Sequence, residues 1–231
     1  MIEKSEFESK IVGKSIYRIS SFGDYKQLEN DLRNCCGHII TKVNSSKKDC
    51  INFLYKNGFA YCCTSLLLEC YLDEKENNFI QQMRTIDKTD VYELENICTK
   101  SFAADNRYAN DPELEPYNRN IHLSWLNNSL EGYADYCCGY DENGTLLGFG
   151  TLHFFYDYTV IGLIAIANDK RGKGRASQLI DHLKTISLQN EKKKILVATE
   201  SVNFHALNLY TKNGFRFYQS EVSLYRKSNE C

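Results

Sequence analysis

Val160–Ser187, VIGLIAIANDKRGKGRASQLIDHLKTIS, is the stretch that decides the fold. It opens as an apolar run rich in Val and Ile, the pattern of a strand buried on both faces. A short basic loop follows, Arg171-Gly172-Lys173-Gly174-Arg175. The chain then turns helical, with Ala176, Leu179, Ile180 and Leu183 at i, i+3, i+4 and i+7. A strand, a glycine-bearing turn and a helix start, in that order, predict an anion site. The first N–H groups of a helix have no partner within it, and glycines let a ligand approach the backbone. Arg171, Lys173 and Arg175 add positive charge, so the expected ligand carries phosphates. No Ser or Thr follows the lysine to hold magnesium, which disfavours a P-loop.

Downstream, the sequence predicts a strand over Ile195–Thr199, a helix over Asn203–Asn213 closed by Gly214, and a last strand over Phe215–Arg226. Asn203 and Tyr210 lie seven residues apart, which places both on one face of that helix. Together these residues resemble the GCN5-related N-acetyltransferases. The acyl-CoA signature of that family, Arg/Gln-x-x-Gly-x-Gly/Ala, is matched by Arg171-Gly172-Lys173-Gly174-Arg175-Ala176, and its helix pattern by Asn203, Ala206, Tyr210, Gly214 and Phe215. The resemblance implies acetyl-CoA as cosubstrate, with no metal. It also implies cofactor contacts from the strand residues Ile164, Ala165 and Ile166, from the loop, and from Asn203. Tyr210 would be the acid at the sulfur. On the residues alone, Asn203 also fits a helix cap and Tyr210 a core aromatic.

Size and charge narrow the class. The 231 residues carry 28 Lys+Arg against 30 Asp+Glu, a formal net charge of -2, so no basic excess points to nucleic acid. No apolar run approaches the ~20 residues that span a bilayer, and MIEKSEFESK lacks a signal-peptide core, so membrane insertion is not expected and a cytoplasmic location is. Ten cysteines occur without any Cys-x-x-Cys spacing, which favours reduced core thiols over zinc or a disulfide framework.

The N-terminal region echoes the C-terminal one. Lys56-Asn57-Gly58-Phe59 matches Lys212-Asn213-Gly214-Phe215 at an offset of 156 residues, and Ile39-Ile40 then falls against Ile195-Leu196 without gaps. Leu54 stands where Tyr210 does, and Lys47 where Asn203 does, so the first copy lacks the catalytic positions. The expectation is an α+β protein with a mixed sheet: a reduced, partial acetyltransferase-like domain over 1–80, then an acetyltransferase domain over 86–231 with the order helix, helix, three strands, helix, strand, helix, strand. Asn77 to Thr85 is expected to bridge them, and the edge strands after Phe215 are open to pairing in a homodimer.

More narrowly, Ser101-Phe102-Ala103, Arg107-Tyr108, Asp111, Trp125–Ser129 and Val197-Ala198-Thr199 resemble bacterial N-acetyltransferases of dTDP-linked 4-amino-4,6-dideoxy sugars. That resemblance implies a nucleotide-sugar amine as acceptor, a role in surface polysaccharide or glycan synthesis, and Arg107 and Tyr108 on the sugar-nucleotide side. The loop departs from that group and is closer to the general family pattern. Acidic residues between 105 and 115 favour a cationic acceptor instead, such as a polyamine, a peptide N-terminus or an antibiotic. A non-catalytic acyl-CoA-binding module is the third alternative. Glu200, Asp105, Asp111 and His153 are candidate bases, and none stands out.

Overall fold

The computed structural model describes residues 1–73 and 81–227. Its strands are β1 (Ile2–Lys4), β2 (Ile16–Ile19), β3 (His38–Asn44), β4 (Ala60–Tyr71), β5 (Met83–Thr85), β6 (Tyr136–Glu142), β7 (Thr145–Phe154), β8 (Tyr158–Ile166), β9 (Lys194–Glu200) and β10 (Arg216–Arg226). Its α-helices are α1 (Glu6–Val12), α2 (Tyr25–Asn34), α3 (Lys48–Lys56), α4 (Val91–Ser101), α5 (Asn118–Asn128), α6 (Arg175–Gln189) and α7 (Phe204–Lys212). From α4 onward the order is helix, helix, three strands, helix, strand, helix, strand, as the sequence predicts.

Contacts divide the chain into two compact units that interleave along it. The first gathers Met1–Leu66, Ala104–Ile121 and the chain from Gln219; the second gathers Leu67–Ala103 and His122–Tyr218. In the first, β2 pairs with β3 in parallel, and β10 pairs with β3 antiparallel, Leu224 lying opposite Thr41. Leu28 and Leu32 of α2 and Leu54 of α3 bury themselves against Ile39, Val43 and Leu224 on one face of these strands.

In the second unit, β6, β7 and β8 form an antiparallel meander, and β8 pairs with β9 in parallel. Asn143 and Gly144 make the β6–β7 turn with φ of 57° and 79°, the positive values that match a hairpin's twist. Leu94, Ile97 and Cys98 of α4 pack with Leu126, Phe149 and Leu163. Leu179, Ile180 and Leu183, the predicted stripe of α6, are fully buried. A Cβ on Gly150 would lie 3.0 Å from a Leu183 methyl, so the helix sits close on β7.

The repeat is exact to the residue in its element bounds. Shifted by 156, β3 falls on β9, α3 on α7, and the start of β4 on the start of β10. Lys47 and Asn203, which precede the two helices, have φ/ψ of -84°/65° and -83°/69°. Sequence patterning does not anticipate β1, α1 or β5; each is short, and α1 spans only two turns. Residues 77–80 of the expected bridge lie outside the described residues, and its end forms β5. Eight described cysteines are free thiols, whereas Cys36, expected among the reduced thiols, is disulfide-bonded. Among the described residues, no helix is long and apolar enough to cross a membrane.

Candidate active site

β8 and β9 part before either ends. Their parallel pairing runs from Tyr158/Lys194 to Ile161/Val197, although β8 continues to Ile166 and β9 to Glu200. On the other edge β8 stays bound to β7: Leu163 donates its N–H to Thr151 Oγ1 at 2.9 Å, and Ala167 to the Leu147 carbonyl at 2.8 Å. Backbone groups alternate in direction along a strand. The N–H groups of Ile164 and Ile166 therefore point to the edge that β9 has left, and Ala165 points its own to β7. Of the three predicted strand residues, two present donors at the opening.

The basic loop closes this edge and starts α6. Gly172 and Gly174 have φ of 81° and 75°, left-handed values that favour glycine, and a Cβ on either would meet nothing within 4 Å. They leave the loop backbone accessible and the first N–H groups of a 15-residue helix unpartnered within it. The three basic side chains differ in what they do. Arg171 donates Nε to the Ile166 carbonyl at 3.1 Å and Nη2 to Ser101 Oγ at 3.3 Å, lashing the loop to the end of β8. Arg175 is buried, with Nη2 on both Glu142 oxygens at 2.9 and 2.8 Å and Nη1 on the Lys170 carbonyl at 3.0 Å. Its guanidinium is thereby turned inward and neutralised, so what it offers the loop is its backbone N–H. Lys173 is exposed, and Ala176 half-buried.

Asn203 caps α7: Oδ1 accepts from the Ala206 N–H at 3.2 Å, and Nδ2 donates to Thr199 Oγ1 at 3.2 Å. The cap anticipated as an alternative is thus present. Tyr210, two turns on, is 4% exposed and packs its ring 5.5 Å from that of Phe215. Burial, with the Glu200 carboxylate second, pushes its phenol well above the ordinary value. Across neutral pH it is a protonated donor.

Arg107 and Tyr108 belong to the first unit. Tyr108 is 1% exposed and donates its hydroxyl to Glu8 Oε1 at 2.7 Å. Arg107 donates Nη2 to the same hydroxyl and lies over the ring, 4.5 Å from its centroid. Fully buried Glu8 also accepts from Ser5 and from Arg18 Nη2. Tyr108 is therefore a fixed wall, and Arg107 lines a cavity of about 190 Å³ with Arg18, Lys42, Asp111 and Ser223. Sequence patterning misses Glu8, Arg18, Lys42 and Ser223, which lie on separate segments that no local signal joins. Of the candidate bases, Asp111 is buried against His38 Nε2 at 2.7 Å, and His153 stands edge-on to Tyr133. Among the described residues no group of three or more His, Cys, Asp or Glu could hold a metal ion.

The acetyltransferase (GNAT) family matches residues 89–215, more than half of the chain. Among solved structures, a functionally unknown conserved protein from Staphylococcus epidermidis aligns with a TM-score of 0.69 at 8% identity, over 96% of this chain and 89% of its own. A GCN5-related N-acetyltransferase from Sphaerobacter thermophilus aligns with a TM-score of 0.61 at 12% identity, over 84% of this chain and 60% of its own, so the chain spans less than two thirds of that relative. A tandem GNAT protein from the clavulanic acid biosynthesis pathway aligns with a TM-score of 0.58 at 11% identity, over 94% and 76%. No curated protein matches. The family uses acetyl-CoA as cosubstrate, and the glycine cradle and the opened edge of β8 fit such a ligand. By its fold and by the match over 89–215, the chain belongs to the acetyltransferase (GNAT) family.

Proposed function

We propose that the chain transfers an acetyl group from acetyl-CoA to the amine of a dTDP-linked 4-amino-4,6-dideoxy sugar, in the synthesis of a surface polysaccharide or glycan. The observation that carries the acyl-transfer half is the opened edge of β8, with its Ile164 and Ile166 donors next to the loop that starts α6. The backbone of Gly172 to Ala176 holds the cofactor's phosphates, with Lys173 adding charge at the surface. Bound acetyl-CoA supplies an activated acetyl thioester. The Ile164 N–H donates to the thioester oxygen as charge builds there, a contribution of about 3–4 kcal/mol for donors of this kind. Asn203 borders the pantetheine arm.

Tyr210 donates to the departing sulfur. On ordinary values, a phenol near 10 facing a thiolate near 8.5 makes full proton transfer uphill by about 2 kcal/mol, and burial raises the phenol further. A strong hydrogen bond to the sulfur is the favoured role. No base is assigned; an amine of modest basicity reaches its neutral form in water.

Two observations support a nucleotide-linked acceptor over a cationic one. Arg107 lines a cavity with Arg18 and Lys42, a setting suited to phosphate. Two of the acids that would favour a polyamine are engaged internally: Asp111 and Glu113 flank the two His38 nitrogens at 2.7 and 3.5 Å. The 156-residue repeat supports residues 1–80 as a reduced, non-catalytic copy of the domain that follows.

The test is thiol release from acetyl-CoA with dTDP-4-amino-4,6-dideoxygalactose, its gluco epimer, spermidine and a small peptide as acceptors. Turnover confined to a dTDP-amino sugar is expected. Turnover only with spermidine or peptide would overturn the acceptor and leave the cofactor standing. Tight acetyl-CoA binding with no turnover on any acceptor would favour a binding module.

A further inference from the structure

The cavity of the first unit has a floor fixed by strand register. Arg18 lies opposite Ile40 across β2–β3, and Ser223 opposite Lys42 across β3–β10. Residues directly opposite, and residues two apart on one strand, share a face. Arg18, Ile40, Lys42 and Ser223 therefore line one side of these strands, while Ile39, Val43 and Leu224 face the core on the other. Arg107 reaches the same cavity from the segment after Ala104.

The acids around this floor are already committed. Asp111 holds His38 with Oδ2 and accepts the Glu113 N–H on Oδ1 at 3.0 Å. Glu8 accepts from Ser5, Arg18 and Tyr108. Arg18 spends Nε on Ser5 and Nη2 on Glu8, which fixes its plane and leaves Nη1. Ser223 is 3% exposed, and its hydroxyl has no hydrogen-bond partner in the protein. Buried hydroxyls are nearly always satisfied, so this one calls for a partner from outside the chain.

We infer that this cavity binds a phosphate or diphosphate group through the Arg18 and Arg107 guanidinia, Lys42 and the Ser223 hydroxyl. Guanidinium forks match phosphate oxygens, and Glu8 pre-orients Arg18 before any ligand arrives. A volume of about 190 Å³ encloses such a group but not a whole nucleotide, being smaller than the roughly 300–1,000 Å³ of pockets that surround drug-sized ligands. The group comes either from the diphosphate of the proposed acceptor or from a free phosphorylated metabolite. The site shares Arg107 with the proposed function, and its binding test does not depend on turnover.

The full chain is titrated calorimetrically with inorganic pyrophosphate as wild type, Lys42→Gln, Arg107→Gln and Ser223→Val, with acetyl-CoA binding as the check on folding. Saturable binding of pyrophosphate is expected, weakened about tenfold in each variant while acetyl-CoA affinity holds. Lys42 is exposed, so its variant reads the site even if Ser223→Val fails to fold. No saturable binding, or equal binding by wild type and variants, would overturn the inference, and succinate binding as tightly as pyrophosphate would overturn the phosphate assignment. Competition of pyrophosphate with the dTDP-amino sugar in the transfer assay, with a raised KM and an intact kcat in Lys42→Gln, supports the site with the acceptor's diphosphate as occupant. Binding without such competition supports it with a separate effector as occupant. If no nucleotide sugar turns over, the acceptor proposal fails and the titration still decides the site.

Discussion

Gly58 and Gly214, 156 residues apart, hold the same left-handed backbone, with φ of 82° and 83°. Each is followed by a phenylalanine whose N–H returns to a helix carbonyl, Phe59 to Leu54 at 3.1 Å and Phe215 to Tyr210 at 3.0 Å. The joint that ends α3 is thus rebuilt at the end of α7. What differs is the side chain it anchors: a leucine in one copy, a buried phenol in the other.

At both glycines an added Cβ meets only ordinary neighbours, Arg226 Cδ at 3.8 Å and Cys70 Sγ at 3.6 Å. Alanine there tests backbone strain alone. Gly58→Ala and Gly214→Ala are each expected to lower stability by about 1–2 kcal/mol, measured by urea denaturation. A loss at Gly214 alone would mean that the first joint is not held in this conformation in solution.

Tyr210→Phe keeps the ring against Phe215 and removes only the hydroxyl. The expected result is a kcat lower by about a hundredfold, with KM for acetyl-CoA and the melting temperature close to wild type. A kcat equal to wild type would take Tyr210 out of the reaction.

Glu142→Gln leaves buried Arg175 without its carboxylate while the backbone of the loop stays intact. Because the Glu142 side chain is 43% exposed, the expected cost is modest, about 1–2 kcal/mol by thermal denaturation. The loop at the start of α6 loosens, so acetyl-CoA binds more weakly, while kcat at saturation is kept. Unchanged acetyl-CoA affinity by equilibrium dialysis would show that the clamp does not position the loop.

Tyr108 makes stability sensitive to alkali. Burial, reinforced by the Glu8 carboxylate against the opposing charge of Arg107, pushes its phenol up to about 12 from an ordinary value of 10.0. The unfolded chain then releases this proton near pH 10, and the folded chain only near 12. Stability attached to Tyr108 is full below pH 10 and falls as pH rises through that window, by roughly 2–3 kcal/mol. Calorimetric melting between pH 8 and pH 12 should show Tyr108→Phe with a shallower decline than wild type; parallel slopes would remove Tyr108 from the effect.

Local spacing carried much of this protein. The stripe Leu179, Ile180 and Leu183 marked α6, and Lys-Asn-Gly-Phe, met twice, marked the ends of α3 and α7. These signals lie within a few residues of what they specify, so they survive in the linear order. β1, α1 and β5 left no such trace, because elements this short gain their order from the strands and helices around them.

The sequence by itself determined the order of elements from α4 onward, the loop that begins α6, and the helix face shared by Asn203 and Tyr210. Only the tertiary structure decided which charged groups remain available. Arg175 looked like a phosphate ligand until Glu142, 33 residues away, neutralised it, and Tyr108 looked like a sugar contact until Glu8, 100 residues away, took its hydroxyl. The cavity that joins Arg18, Lys42, Arg107 and Ser223 draws on segments that no short pattern connects. Periodicity is a property of neighbours along the chain, whereas desolvation and pairing depend on whichever groups folding brings within a few ångströms.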